Sequence, residues 1–115
     1  FENAGTVFIP IFDKKDIFLI QYAKKLIYNN QSQVSILDVR GIVKNNIELK
    51  EEIRAIEQVT PNHIAVLNDK KIDKDFLKSQ DLMVVSLDSW KKLVETRSTW
   101  LSSTPSTLII QEGKE

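Results

Sequence analysis

Five short apolar runs rich in β-branched residues recur along this chain, and each gap between them is dominated by helical periodicity. The runs cover residues 6–12, 34–39, 63–67, 82–87 and 107–111. Short continuous apolar runs suit strands buried on both faces, as in parallel sheets. Strands that alternate with helices imply parallel pairing through right-handed crossovers. The order βαβαβαβαβ therefore predicts one α/β domain with a parallel sheet. Pro10 removes a ladder donor from the first run, so that position needs a bulge or an unpaired N–H.

The gaps carry their own signals. Asp13 is a candidate cap for a first helix, in which Ile17, Ile20, Ala23, Leu26 and Ile27 recur at helical spacing before Asn29-Asn30 ends it. A second helix is predicted from about Asn46 to Gln58, with Leu49, Ile53 and Ile56 inward and Glu48, Lys50, Glu51, Glu52, Arg54 and Glu57 outward. Residues 73–80 leave room only for a short helix with Phe76 and Leu77 facing in. The last helix, capped by Asp88 or Ser89, is expected to carry Trp90, Leu93, Val94, Arg97 and Leu101 until Thr104-Pro105 breaks it. Of the two tryptophans, Trp90 and Trp100, one is expected in the core and the other as a contact anchor.

A chain of 115 residues is the size of one domain and can bury a core without staples. Lys+Arg and Asp+Glu are 16 each, so the formal net charge is zero, which argues against a general nucleic-acid binder. With no cysteine, disulfides, thiolate catalysis and Cys-based zinc sites are absent. No apolar run approaches the roughly 20 residues of a membrane span, and no signal peptide is visible. The chain starts at Phe1 with Met83 as its sole methionine, which reads as a domain excised from a longer protein.

In an open α/β sheet, ligands bind beyond the carboxyl ends of the strands, where the strand order reverses. Phe12, Asp13, Asp38, Arg40, Asp88 and Ser89 fall there and are the candidate effector-pocket residues. Asp13, Asp38, Asp69 and Asp88 can be imagined as a metal pocket, but acidic residues at strand ends are more often caps and turn formers, and no metal site is expected. Phosphate binding needs close backbone approach, which glycine permits. Gly5, Gly41 and Gly113 are the only glycines and none opens a helix after a strand, so there is no Walker or dinucleotide pattern. His63, the single histidine, has no nucleophile beside it in sequence, and Ser86 and Ser89 have no nearby histidine. An enzyme built on these carboxylates and His63 is disfavoured, and no catalytic residue is assigned. Lys14-Lys15, Lys70-Lys71 and Lys91-Lys92 can gather an anion at the top of the sheet, although scattered lysine pairs ordinarily keep a surface solvated.

The opening Val7-Phe8-Ile9-Pro10-Ile11-Phe12-Asp13 resembles the first strand of the universal stress protein family, an apolar strand with a proline followed by an acidic turn. The closing Trp100-Leu101-Ser102-Ser103-Thr104-Pro105-Ser106-Thr107-Leu108-Ile109-Ile110 is similar to that family's last helix-to-strand joint. In element order the resemblance covers the whole chain. ATP-binding members place an aspartate just after the first strand's final aliphatic residue, where Phe12 stands here. They also carry a glycine-spaced phosphate loop after the fourth strand, whereas residues 88–104 contain no glycine. The resemblance thus implies a member that does not bind ATP in the usual way, with no cofactor. Within the superfamily, Phe8-Ile9-Pro10-Ile11-Phe12 and the ending Leu101 to Ile110 look most like the cytoplasmic C-terminal domain of bacterial monovalent cation:proton antiporters.

That resemblance implies an open five-stranded parallel sheet in order 3-2-1-4-5 with helices on both faces. It implies a non-catalytic regulatory or assembly domain of a Na+/H+ or K+/H+ antiporter at the cytoplasmic face of the inner membrane. The expected partners are the transmembrane domain of the same chain, a second copy and a small-molecule effector. In stress-protein dimers the last strand supplies the contact, which makes Leu108 and Ile110 the candidates, with Ile109 on the opposite face. The alternative is a stand-alone stress-type protein binding a nucleotide or other small effector through atypical contacts at Asp13, Asp38 and Asp88.

Overall fold

Strand β1 (Thr6–Ile11) is the central strand, and the rest of the sheet is built outward from it on both sides. The computed structural model describes residues 5–12, 14–38, 41–67, 74–96 and 106–110. After β1 come a 3-10 turn (Lys14–Asp16), α1 (Leu19–Asn30), β2 (Gln33–Asp38), α2 (Ile47–Val59) and β3 (Ile64–Leu67). They are followed by α3 (Lys74–Ser79), β4 (Leu82–Ser86), α4 (Leu87–Glu95) and β5 (Ser106–Ile110). The five strands are all parallel in the order β3-β2-β1-β4-β5. The parallel sheet expected from the alternating pattern, and the strand order 3-2-1-4-5 expected from the resemblance, are the observed ones.

Alternation along the strands sorts the core into two layers. Val7, Ile9 and Ile11 of β1 meet Leu19, Ile20, Ala23 and Ile27 of α1, with Leu49 and Ile56 of α2 in the same cluster. On the opposite face Phe8, Leu37, Met83 and Val85 pack with Leu77, Phe76 and Trp90 from α3 and α4. The Phe8 and Phe76 rings meet edge to face, with centroids 5.2 Å apart and planes at 82°. Trp90 is half-buried against this second layer, while Trp100 lies outside the described residues.

Element ends differ from expectation where hydrogen bonding is local. Helix α1 begins at Leu19, because Ile17 N–H bonds the Lys14 carbonyl and Ile20 N–H the Ile17 carbonyl in tight i to i+3 fashion. Asp13, the expected cap, lies outside the described residues. Asn46, the expected start of α2, is instead its cap, the side chain accepting from Leu49 N–H at 3.1 Å. Helix α4 is capped not by Asp88 or Ser89 but by Ser86, the last residue of β4, whose hydroxyl accepts from Ser89 N–H at 3.2 Å. Strand passes straight into helix there. Leu87, expected to end the strand, is the first residue of the helix.

At the amino end of the sheet, Asp81 fastens β4 to β1. Its Oδ2 accepts from Gly5 N–H at 2.9 Å and Thr6 N–H at 3.0 Å, and its own N–H donates to the Thr6 carbonyl at 2.9 Å. The backbone bonds from Thr6 and then Gly5 hold the Asp81 carboxyl below its ordinary value of 3.8, against a smaller opposing effect of desolvation. A carboxyl whose folded pKa is depressed stabilises the fold above its unfolded pKa, and that stabilisation is lost as pH falls through the folded value. The stability gap between wild type and Asp81→Asn in urea melts is therefore expected to be constant near neutrality and to shrink below pH ~4. A gap that stays constant down to pH 2 would show that the carboxylate charge plays no part in this link.

Candidate functional site

The strand order reverses between β1 and β4, so the crevice beyond their carboxyl ends is where a doubly wound sheet receives a ligand. The Gly5 carbonyl accepts from Gln33 N–H and the Thr6 carbonyl from Asp81 N–H. In a parallel ladder the facing direction alternates, so Phe8, Pro10 and Phe12 present their backbone toward β4. Pairing between β1 and β4 spans only Val7 with Leu82 and Phe8 with Met83. Pro10, with no N–H to offer, lies just past the last of these pairs. It remains level with Leu37 on the β2 side, where the ladder does not need its donor. The exception that Pro10 demanded is thus met by strands that part at the crevice.

A buried carboxylate fills the gap. Asp16 is 0 % exposed. Its Oδ2 accepts from Phe12 N–H at 2.8 Å, the next donor along β1 aimed toward β4, and from Ser89 Oγ–H at 2.8 Å. Its Oδ1 accepts from the Ser86 hydroxyl. Ser86 Oγ at once donates to Asp16 and accepts from Ser89 N–H, so one network ties the β1–α1 connection to the first turn of α4. The first turn of a helix concentrates unpaired N–H groups and the positive end of its dipole, the feature that phosphate sites exploit. Here the chain's own carboxylate takes that position.

The expected effector-pocket residues divide accordingly. Phe12 is half-buried and Ser89 is buried, and both donate to Asp16. Asp38, also buried, turns away to staple the β2–α2 connection, accepting from Val43 N–H at 3.2 Å and Lys44 N–H at 2.9 Å. Gly41, at φ +71, supplies the left-handed turn that brings those N–H groups round. Asp88 is exposed in the first turn of α4. Asp13, Arg40 and Asp69 lie outside the described residues. Among the described residues no group of three His, Cys, Asp or Glu side chains is placed to hold a metal ion.

Beside the network lies a polar hollow of about 250 Å³. Lys15, Lys91 and Lys92 line it, as do Asp16, Asp88 and Glu95. Of the paired lysines, Lys15, Lys91 and Lys92 meet here while Lys14 does not line the hollow, and acids offset them, so the field there is mixed rather than anion-gathering. Lys70 and Lys71 lie outside the described residues.

His63 is remote from this site. It precedes β3, and its Nδ1 lies 2.9 Å from the Pro61 carbonyl oxygen. The register places Ile64 level with Val34, Val7 and Leu82, so His63 is at the amino end of the sheet and Ser86 at the carboxyl end. Strand spacing and rise put them about 20 Å apart, too far for a serine–histidine pair.

Strand β5, at the sheet's other edge, is paired on one side with β4. Ile110 is 9 % exposed and belongs to the first core layer, and Leu108 packs partly against it. Ile109 faces the other way and is 40 % exposed.

The chain matches no protein-family model and no curated protein. The likeness to universal stress proteins therefore rests on the quoted motifs.

Proposed function

We propose that this chain is a non-catalytic regulatory or assembly domain of the universal-stress-protein-like kind, serving a monovalent cation:proton antiporter at the cytoplasmic face of the inner membrane. The Asp16 network carries the non-nucleotide part of this reading. An internal anion at the first turn of α4 repels a phosphate and already uses the Ser86 and Ser89 donors that such a group would need. The direct passage of β4 into α4 leaves no phosphate loop between them. The motifs at the two ends of the chain support the transporter assignment. Among the described residues no helix is long and apolar enough to cross a membrane, so in this reading other segments of the same protein span it.

Assembly through β5 supplies the output. Among the described residues β5 pairs with β4 alone; an edge strand is a pairing surface, and Ile109 adds exposed apolar area to it. Ile110, one of the expected contact residues, is largely engaged by its own core, so Ile109 and the backbone edge are the better contact candidates. The domain is expected to be dimeric by light scattering at high concentration. Ile109→Lys, at an exposed position, should give monomers while changing stability by no more than about 0.5 kcal/mol. Wild-type monomers throughout the concentration range would overturn the assembly role.

The alternative, a stand-alone domain that binds a nucleotide, requires phosphates to settle where Asp16 already lies. Nothing in the hollow's mixed charges favours it.

A further inference from the structure

A groove of about 420 Å³ lies away from the switch crevice, on the outer side of the sheet between α2 and β3. That volume is within the ~300–1,000 Å³ of small-molecule pockets. Its floor is apolar, formed by Val43, Ile53, Ile64 and Val66. Ile64 and Val66 alternate along β3 and so share one face, and Ile53 faces them from α2. Its rim is cationic. Lys44, Lys50 and Arg54 line it, and all three are exposed. Among the described residues none of the three is engaged in an ion pair.

The placement is fixed by the fold. Lys50, Ile53, Arg54 and Glu57 follow one another at helical spacing on a single face of α2, which spreads them over about 10 Å from Lys50 to Glu57. Lys44 is held at the same end as Lys50 by its N–H bond to Asp38. At the far end Glu57 Oε1 accepts from Asn62 N–H at 3.0 Å, while its Oε2 is buried and has no hydrogen-bond partner among the described residues. A buried oxygen in that state is costly, and a ligand hydroxyl would relieve it.

We infer that the α2–β3 groove binds a small amphipathic anion: an acyl-type apolar body on the Ile53–Ile64–Val66 floor, an anionic head at Lys44 and Lys50, and a hydroxyl toward Glu57. Charge complementarity selects the sign of the head, the floor selects the body, and the Lys50-to-Glu57 span selects a medium chain length. The inference does not depend on the antiporter assignment or on dimerisation through β5. It gives the domain an effector site in a place unrelated to the crevice that Asp16 closes.

The test is an amide chemical-shift titration of the whole chain with 10-hydroxydecanoate, with decyltrimethylammonium as the cationic counterpart. The expected result is a dissociation constant of about 0.1–1 mM, with shifts centred on Val43, Lys44, Ile53, Ile64 and Val66 and little response to the cation. Lys50→Glu combined with Arg54→Glu changes exposed positions and should weaken binding at least about tenfold while leaving the rest of the spectrum in place. Should that double variant lose its folded spectrum, Lys44→Glu alone, on the loop, is the substitute, with several-fold weakening expected. Shifts spread over the whole surface, equal binding of the cation, unchanged affinity in the folded charge-reversed variant, or no response at millimolar ligand would each overturn the inference.

Discussion

Asp16→Ala is expected to lower stability by about 3–5 kcal/mol, the largest loss at any polar position described. The substitution leaves the Phe12 N–H and the Ser86 and Ser89 hydroxyls without their shared acceptor, which is itself fully buried. Hydrogen bonds to a charged acceptor contribute about 1.5–3 kcal/mol each and are not additive within one network, which sets the range. For a domain of this size the melting temperature should fall by about 12–20 °C. Urea denaturation measures it directly, with the midpoint displaced and the slope kept if the unfolded state is unchanged. Asp16→Asn retains one acceptor oxygen and the side-chain size and should lose about half as much. A loss below ~1 kcal/mol in the alanine variant would mean that the network is a consequence of the fold and not one of its fasteners.

Phe8→Ala should cost a comparable ~3–5 kcal/mol, for a different reason. Phe8 is fully buried in the central strand and carries the second core layer almost alone on β1, packing with Leu37, Leu77, Met83 and Val85. Truncation removes the ring, its edge-to-face contact with Phe76 and the anchor that holds the short helix α3 on the sheet. With only six residues, α3 has little stability of its own and depends on that packing. The α3 amides should therefore lose hydrogen-exchange protection more than those of α1, and Phe8→Leu, which keeps most of the volume, should cost less than about 1.5 kcal/mol. Equal loosening of α1 and α3 would contradict this division of the core.

Most of the architecture was legible in the sequence because it depends on repeated patterns. Apolar runs marked the strands, and the spacing of Leu49, Ile53 and Ile56 marked the covered side of α2. The candidate site was less legible, because it depends on one residue meeting partners about 70 positions away. The mark was nonetheless present. Asp16, Ile20, Ala23 and Ile27 fall at helical spacing, and all four are buried. A charged residue in register with an apolar stripe is a buried carboxylate in need of donors. The same stripe counted from Ile17 hides it. Ser86 was assigned to a strand, and its double role as cap and donor follows only once β4 is seen to enter α4 without a loop. Asp38 and Asp88 attracted notice as strand-end acids, but one serves a turn and the other faces solvent. Burial separates Asp88 from Asp16, and the choice of partners separates Asp38, which is buried too; the local sequence shows neither.

The central claim is that the switch crevice is closed to phosphate by the chain's own carboxylate. Calorimetric titration of the whole chain with ATP, and with ADP and cyclic dinucleotides in parallel, tests it most directly. The account predicts no saturable heat for ATP up to about 1 mM, the weak end of ordinary ligand affinities. Tight, stoichiometric ATP binding that moves the amides of Phe12, Ser86 and Ser89 would contradict it and make the domain a nucleotide sensor.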